Sequence, residues 1–168
     1  MVYEFHQDDP KKCTAARLRK FGMVRKLPTI KQIPSNAIVL NPTASQTLTN
    51  DDRALVERNG LVALDCSWNQ SQEIFERPIT GENRRLPTLL AGNPTNYGVR
   101  GRLSTAEALA AALIITGFEE EAEKVLAPFR WGGTFISLNK EPLEEYAKSP
   151  ASKILDRERE FFFFTQAG

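Results

Sequence analysis

Two kinds of pattern alternate along the first half of the chain. The run Gly60-Leu61-Val62-Ala63-Leu64 is apolar at every position after its glycine and stops at Asp65, which predicts a strand buried on both faces. "AIVLNP", from Ala37, has the same character and is broken by Asn41-Pro42; "LPTLLAGNP", from Leu86, repeats it and is closed by Asn93-Pro94. "VYEFHQ" alternates apolar and polar side chains up to the turn residues Asp8-Asp9-Pro10, the pattern of a first strand. Helix formers fill the gaps. "KKCTAARLRKFG" is stopped by Gly22, Thr49 and Asn50 are placed to cap a helix that opens on Asp51-Asp52 and ends at Asn59-Gly60, and "CSWNQSQEIFE" has helical character. A proline-marked linker runs from Leu27 to Ser35.

After Gly98 the strand signals fade. Ser104 with Glu107 three positions on is a capping-box signature, and the helix it opens, "TAEALAAALIIT", is apolar on nearly every side and so should lie buried. "EEEAEKVLAPF", "PLEEYAKS" and "SKILDREREFFFF" predict further helices, whereas "TFISLN" reads equally as strand or helix. Strands alternating with helices at this spacing predict an α/β protein with a largely parallel sheet. We expect one compact unit of two lobes: an α/β lobe over residues 1–85 and a mainly helical lobe over residues 86–168, meeting near Leu86 to Arg102. Phe161 to Phe164 should pack on the body.

Composition changes this picture little, since 41% hydrophobic and 26% charged residues with a formal net charge of +1 suit an ordinary globular chain. The distribution of charge says more. Lys11, Lys12, Arg17, Arg19, Lys20, Arg25 and Lys26 fall in one stretch without an acidic residue, while acidic residues collect towards the other end, as in Glu119-Glu120-Glu121. Such a basic segment either tracks nucleic-acid phosphates or forms a solvated helix face. Cys13 and Cys66 are too far apart for a paired motif and read as reduced thiols of a cytoplasmic protein. With His6 as the only histidine, no metal site is expected. No run approaches the ~18 apolar residues of a membrane span.

In open α/β sheets ligands collect at the carboxyl ends of the strands. Here those ends carry Asn41-Pro42, Asp65 to Trp68, and Asn93-Pro94 followed by Asn96-Tyr97-Gly98. Three such loops can form one pocket. Each also has a plainer reading: Asn-Pro starts turns, Asp65 can cap a helix, and Trp68 can be core. Neither a Walker A sequence nor GxGxxG is present, and a covalent nucleophile would have to rely on distant His6.

The segments "DDPKKCTAARL", "IVLNP", "LDCSW", "RRLPTLLAGNPTNYG" and "RLSTAEALAAAL", in this order and spacing, closely resemble the aminocarboxypropyltransferases that modify small-subunit rRNA in ribosome biogenesis. The resemblance runs from Tyr3 to about Tyr146. It implies a SPOUT-like knotted fold, S-adenosylmethionine bound between the lobes, and transfer of its 3-amino-3-carboxypropyl group to N3 of an N1-methylpseudouridine, releasing methylthioadenosine. By the same resemblance, Thr14 and the amide of Thr105 hold the cofactor carboxylate. Adenine lies among Leu40, Pro42, Leu86, Leu103 and Ala108, with backbone contacts from Leu86 and Gly101. The ribose meets the carbonyl of Leu64, and Trp68 walls off the sulfonium methyl. The family is expected to be monomeric.

Asp65 is the candidate to accept or orient the N3 proton. Arg17, Arg19, Lys20, Arg25, Arg84, Arg85, Arg100 and Arg102 are the candidate phosphate contacts for the rRNA. Two positions depart from the family pattern. Gly101 replaces an aromatic residue, and Ser71 makes the methyl pocket more polar. Two other readings stay open on sequence: an RNA methyltransferase using the same cofactor, and a non-catalytic assembly factor that binds pre-rRNA through the basic segment.

Overall fold

The structure is a computed structural model that describes residues 1–5 and 11–163. The expected turn at Asp8-Asp9-Pro10, and Phe164, lie outside the described residues. Four strands, β1 (Val2–Glu4), β2 (Ile38–Leu40), β3 (Leu61–Asp65) and β4 (Glu82–Arg84), form one sheet in the order β1-β3-β2-β4. Every pairing is parallel, with Val2 opposite Ala63, Ile38 opposite Leu61 and Ile38 opposite Glu82. The expected α/β class with a parallel sheet is therefore present.

The two central strands are buried on both sides, and their side chains divide by the period of two. Ile38, Leu40, Leu61 and Ala63 enter one apolar cluster with the helices α1 (Thr14–Lys20), α2 (Arg53–Asn59) and α4 (Thr105–Ile115). Val39, Val62 and Leu64 enter the other, with Leu27 and Ile33 of the proline-marked linker and Phe75 of α3 (Ser71–Phe75). The larger cluster continues through α5 (Glu119–Leu126), α6 (Gly132–Leu138), α7 (Lys140–Lys148) and α8 (Ile154–Phe162).

Local signals act where the sequence placed them. α1 ends on Gly22, whose φ of 69° suits a residue without Cβ, and the amides of Gly22 and Met23 donate to the carbonyls of Arg19 and Leu18. Both sides of the Ser104–Glu107 capping box are made. α4, apolar all round, packs against β3, α1, α5 and α7, so nearly every face has an apolar partner. The expected packing of the phenylalanines holds in part: Phe162 is buried and Phe161 stands edge-on to Tyr146, whereas Phe163 is exposed.

One ambiguous element is decided and two differ from the sequence expectation. "TFISLN", open between strand and helix, is helical from Thr134 to Leu138, within α6. The helix expected from Cys66 begins only at Ser71, because Cys66 to Gln70 form a loop and turn. "LPTLLAGNP" is extended but forms no strand, and the fourth strand is instead the polar "ENR" of β4.

The reason lies in what satisfies the extended segment's backbone. Pro87 has no N–H to offer. The Thr88 amide donates to Glu158 Oε1 at 2.7 Å, and the Thr88 carbonyl accepts from the Tyr146 hydroxyl at 3.0 Å. Asn139, fully buried, pairs with both sides of Leu90, its Oδ1 accepting from the amide and its Nδ2 donating to the carbonyl, each at 2.8 Å. The amides of Gly92 and Asn93 donate to Glu107 Oε1 at 2.6 and 3.0 Å. Side chains from later in the chain thus satisfy Thr88, Leu90, Gly92 and Asn93, while Leu89 and Ala91 pair with the backbone of Gly98 to Gly101 around one antiparallel bridge, Leu90 to Arg100. Gly92 is required for this close passage, because a Cβ there would stand 2.7 Å from the Phe135 backbone.

Glu158 also carries a bidentate pair with Arg85, at 3.0 and 2.9 Å. Burial alone would raise its carboxyl, but the Arg85 guanidinium and the Thr88 donors outweigh it and hold the group below the usual carboxylate range.

Asn139→Ala should destabilise the protein by about 2–4 kcal/mol, because it strips buried partners from both groups of Leu90. Asn139→Asp should lose a comparable amount, since an ionised carboxylate cannot donate to the Leu90 carbonyl. Urea unfolding of the two variants measures both effects, and wild-type stability in either would contradict this role.

Candidate active site

A cavity of about 650 Å³ opens at the carboxyl ends of β2 and β3. Its floor comes from Leu40, Asn41 and Pro42 after β2, and from Leu64, Asp65 and Trp68 at and after β3; its other wall is Leu86, Gly101, Leu103, Thr105 and Ala108, and the N-terminal end of α1 adds Lys12, Cys13 and Thr14. Every residue expected around the cofactor, and Asp65, therefore faces one space. The extended segment makes this possible by carrying the chain from the end of β4, past the cavity, to the start of α4.

Two helix N-termini meet beside Asp65. Cys13 caps α1, its sulfur accepting from the Ala16 amide at 3.4 Å, while its thiol donates to Asp65 Oδ2 at 3.1 Å. The Thr105 hydroxyl donates to Asp65 Oδ1 at 2.6 Å. Asp65 is thus no helix cap. It ties the end of β3 to the first turns of α1 and α4, and each oxygen keeps a further lone pair.

Thr14 Oγ1 accepts from the Ala106 amide at 3.1 Å, which leaves its own proton free to donate. Ser104 takes the Glu107 amide at 3.2 Å. Thr105, first in α4, has no intrahelical acceptor for its amide. A hydroxyl donor and a helix-terminal amide side by side suit a carboxylate.

The Trp68 indole is pinned by its Nε1–H, which donates to the Leu103 carbonyl at 3.3 Å. Ser71, one turn on, turns its hydroxyl onto the Trp68 carbonyl at 2.9 Å, so the polar group that departed from the family pattern is spent on the backbone. Gly101 has a φ of 71°, and its amide donates to the Leu89 carbonyl at 2.9 Å.

The expected phosphate contacts divide. Arg85 and Arg102 line the cavity, and Arg17, Lys20, Arg100 and Arg102 are exposed. Arg19 is paired with buried Glu4 at 2.8 Å, Arg84 with buried Asp52 at 3.2 Å, and Arg85 with Glu158. Arg25 lies beside Met1, at the amino end of the sheet and away from the cavity mouth. The structure gathers the cofactor set and scatters the basic set.

Three residues at or behind the site escaped sequence reasoning. Cys13 was taken for a simple thiol, Trp131 sits in the cavity lining from far down the chain, and the Glu107 carboxylate gathers donors from the Asn93 loop as well as from its own cap. Only Glu107 carried a signal, its capping box, and that explained half of its partners.

A parallel sheet with a pocket at its carboxyl ends and an anion-ready corner defines an α/β protein built to take a small charged ligand. The relatives are more specific. Residues 38–162 match the family described as "Ribosome biogenesis protein, C-terminal". The 16S rRNA aminocarboxypropyltransferase of Vulcanisaeta distributa is 45% identical over 153 residues, covering 90% of this chain and 83% of its own; that of Methanosarcina mazei is 42% identical, covering 90% and 87%. A solved structure of the SAM-dependent rRNA:acp-transferase Tsr3 from Vulcanisaeta distributa superposes with a TM-score of 0.87 at 44% identity, covering 95% of this chain and 86% of that one. The chain belongs to the 16S rRNA aminocarboxypropyltransferase family.

Residues 1–31 also match the family described as "Possible Fer4-like domain in RNase L inhibitor, RLI". An iron–sulfur cluster takes about four thiolates. The chain has 2 cysteines, and the one in this stretch, Cys13, is engaged by Asp65 and the Ala16 amide. The residues present do not fit such a cluster.

Burial pushes the Cys13 thiol up to about 11, aided by the adjacent Asp65 carboxylate and opposed by the Ala16 amide. At pH 8 only about one such thiol in a thousand is ionised. Iodoacetamide should therefore label Cys13 slowly at pH 8, and about tenfold faster for each pH unit up to the midpoint. Peptide mapping by mass spectrometry reads the rate, and fast labelling at neutral pH would contradict this arrangement.

Proposed function

We propose that this chain, an S-adenosylmethionine-dependent aminocarboxypropyltransferase by family, transfers the 3-amino-3-carboxypropyl group to N3 of an N1-methylpseudouridine in small-subunit rRNA and releases 5'-methylthioadenosine. The observation that carries the reading is one cavity lined both by Trp68, pinned to the Leu103 carbonyl, and by the Thr14–Thr105 corner. When bound, S-adenosylmethionine supplies a sulfonium whose carbon substituents are electrophilic. Which one is transferred is decided by position.

The chain's own residues do the positioning. Thr14 and the Thr105 amide hold the carboxylate, and Leu40, Pro42, Leu86, Leu103 and Ala108 enclose the adenine, with Leu86 and Gly101 contributing backbone contacts. The carbonyl of Leu64 meets the ribose, and Trp68 shuts the methyl away, its indole face also attracting positive charge. Asp65, held by Cys13 and Thr105, orients the N3–H of the acceptor and receives its proton.

On the surface, Arg17, Lys20, Arg100 and Arg102 contact phosphates. Arg19, Arg84 and Arg85 have their charge balanced by Glu4, Asp52 and Glu158 and serve the fold, which narrows the basic set expected from sequence. The reading includes a SPOUT-like knotted path with lobes at residues 1–85 and 86–168, working as a monomer in the cytoplasm.

Incubation of the protein with small-subunit rRNA and carboxyl-labelled S-adenosylmethionine should place label in the RNA. Label only from the methyl position would make the protein a methyltransferase, and no binding of S-adenosylmethionine by calorimetry would leave an assembly factor. Asp65→Asn should lower the transfer rate by about 10²-fold or more. Full activity in that variant would reduce Asp65 to a tie between elements.

A further inference from the structure

The chain has 2 tryptophans, and both line the cavity. Trp68 is placed by the reading above; nothing in that reading uses Trp131. Its position is well determined. It is the residue before α6, its carbonyl accepts from the Phe135 amide at 3.1 Å, and the next amide, of Gly132, donates to the Phe129 carbonyl at 3.1 Å. A Cβ on Gly132 would stand 2.8 Å from the Leu126 carbonyl oxygen, so the backbone here is pressed onto the end of α5.

The indole packs against the Phe129 ring, centroids 4.9 Å apart, and the Arg17 guanidinium lies over Phe129 at 5.6 Å. Arg17 follows Cys13 and Thr14 by one turn of α1, so it shares their face. Trp131 is thereby linked through Phe129 and Arg17 to the helix that carries Thr14. Trp131 is half-buried, and its Nε1–H has no partner among the described residues, unlike that of Trp68.

A rigid, half-buried aromatic with a spare N–H, in the lining of a pocket that must admit a nucleobase, has the chemistry of a stacking platform. An extruded base loses its neighbours in the stack, and an aromatic side chain replaces them. We propose that Trp131 is the platform for the acceptor pyrimidine, stacking on the uracil-type ring and donating its N–H to a ring carbonyl. The inference rests on the reading of the cavity as an rRNA-modifying site. Trp131 is then a specificity residue for the acceptor, not for the cofactor.

The test uses Trp131→Leu, which keeps apolar bulk against Phe129 and removes the extended π face, and Trp131→Phe, which keeps an aromatic face. Trp131→Leu should raise the KM for small-subunit rRNA about tenfold or more, with the S-adenosylmethionine Kd by calorimetry within about twofold of wild type. Trp131→Phe should recover most of the RNA affinity. In Trp68→Phe, where Trp131 is the only indole, a short oligouridylate should quench its fluorescence. Quenching in that variant, with no group transfer by the wild-type protein, would keep the platform and remove the reaction proposed above. A wild-type KM in Trp131→Leu would overturn the proposal. So would equal weakening of cofactor and RNA, or a Phe variant as defective as the Leu one, or an oligouridylate that leaves the emission unchanged.

Discussion

The structure depends on how one extended segment, Thr88 to Asn93, satisfies its backbone with a single antiparallel bridge, Leu90 to Arg100, in place of a full neighbouring strand. Buried amides and carbonyls must be paired, and Glu107, Asn139, Tyr146 and Glu158 supply the partners that the bridging backbone does not. Each comes from a different stretch of the helical half of the chain. The segment is held from several directions at once, and that fixes where the chain enters α4 and leaves β4. The cavity walls at Leu86 and Leu103 are the two ends of this arrangement.

Buried carboxylates are costly unless surrounded by donors, and the two in this network are well supplied. Glu107 accepts from the amides of Gly92, Asn93 and Ser104 and from the Asn93 side chain. Glu158 accepts from Arg85 and twice from Thr88. The same economy governs the site. Asp65 receives a thiol and a hydroxyl, and Thr14 accepts an amide from a neighbouring helix, so residues that close helix ends also line the cavity. Helix termini aimed at one point give the pocket a donor-rich corner without spending a charged side chain on it.

The division of the arginines follows from the same constraint. Glu4, Asp52 and Glu158 are buried acids, and each takes a nearby arginine as counter-ion. In the sequence, Arg84 and Arg85 look like any other basic pair. Their pairing with carboxylates from residues 52 and 158 is a matter of folding, because nothing in local spacing reports which acid will be buried beside which base. Two arginines that stay exposed, Arg17 and Arg100, lie against aromatic rings instead: Arg17 over Phe21 and Phe129, and Arg100 over Phe162 and Phe163.

Local pattern determined by itself the two central strands, the Gly22 stop, the Ser104–Glu107 capping box and the buried α4, because each of these depends on side chains a few residues apart. Motif order also singled out a set of residues for one pocket, and they do share one cavity. Tertiary structure decided the rest. "LPTLLAGNP" has the apolar character of a strand, yet apart from one antiparallel bridge at Leu90 its hydrogen-bonding partners are side chains up to 70 residues away, as between Thr88 and Glu158, and β4 is a strand only because β2 offers it an edge. Cys13, Trp131 and the second set of Glu107 partners became visible for the same reason. Hydrophobic periodicity records how a residue relates to its neighbours along the chain, whereas the pairing of a buried polar group is settled by whichever distant atom arrives beside it.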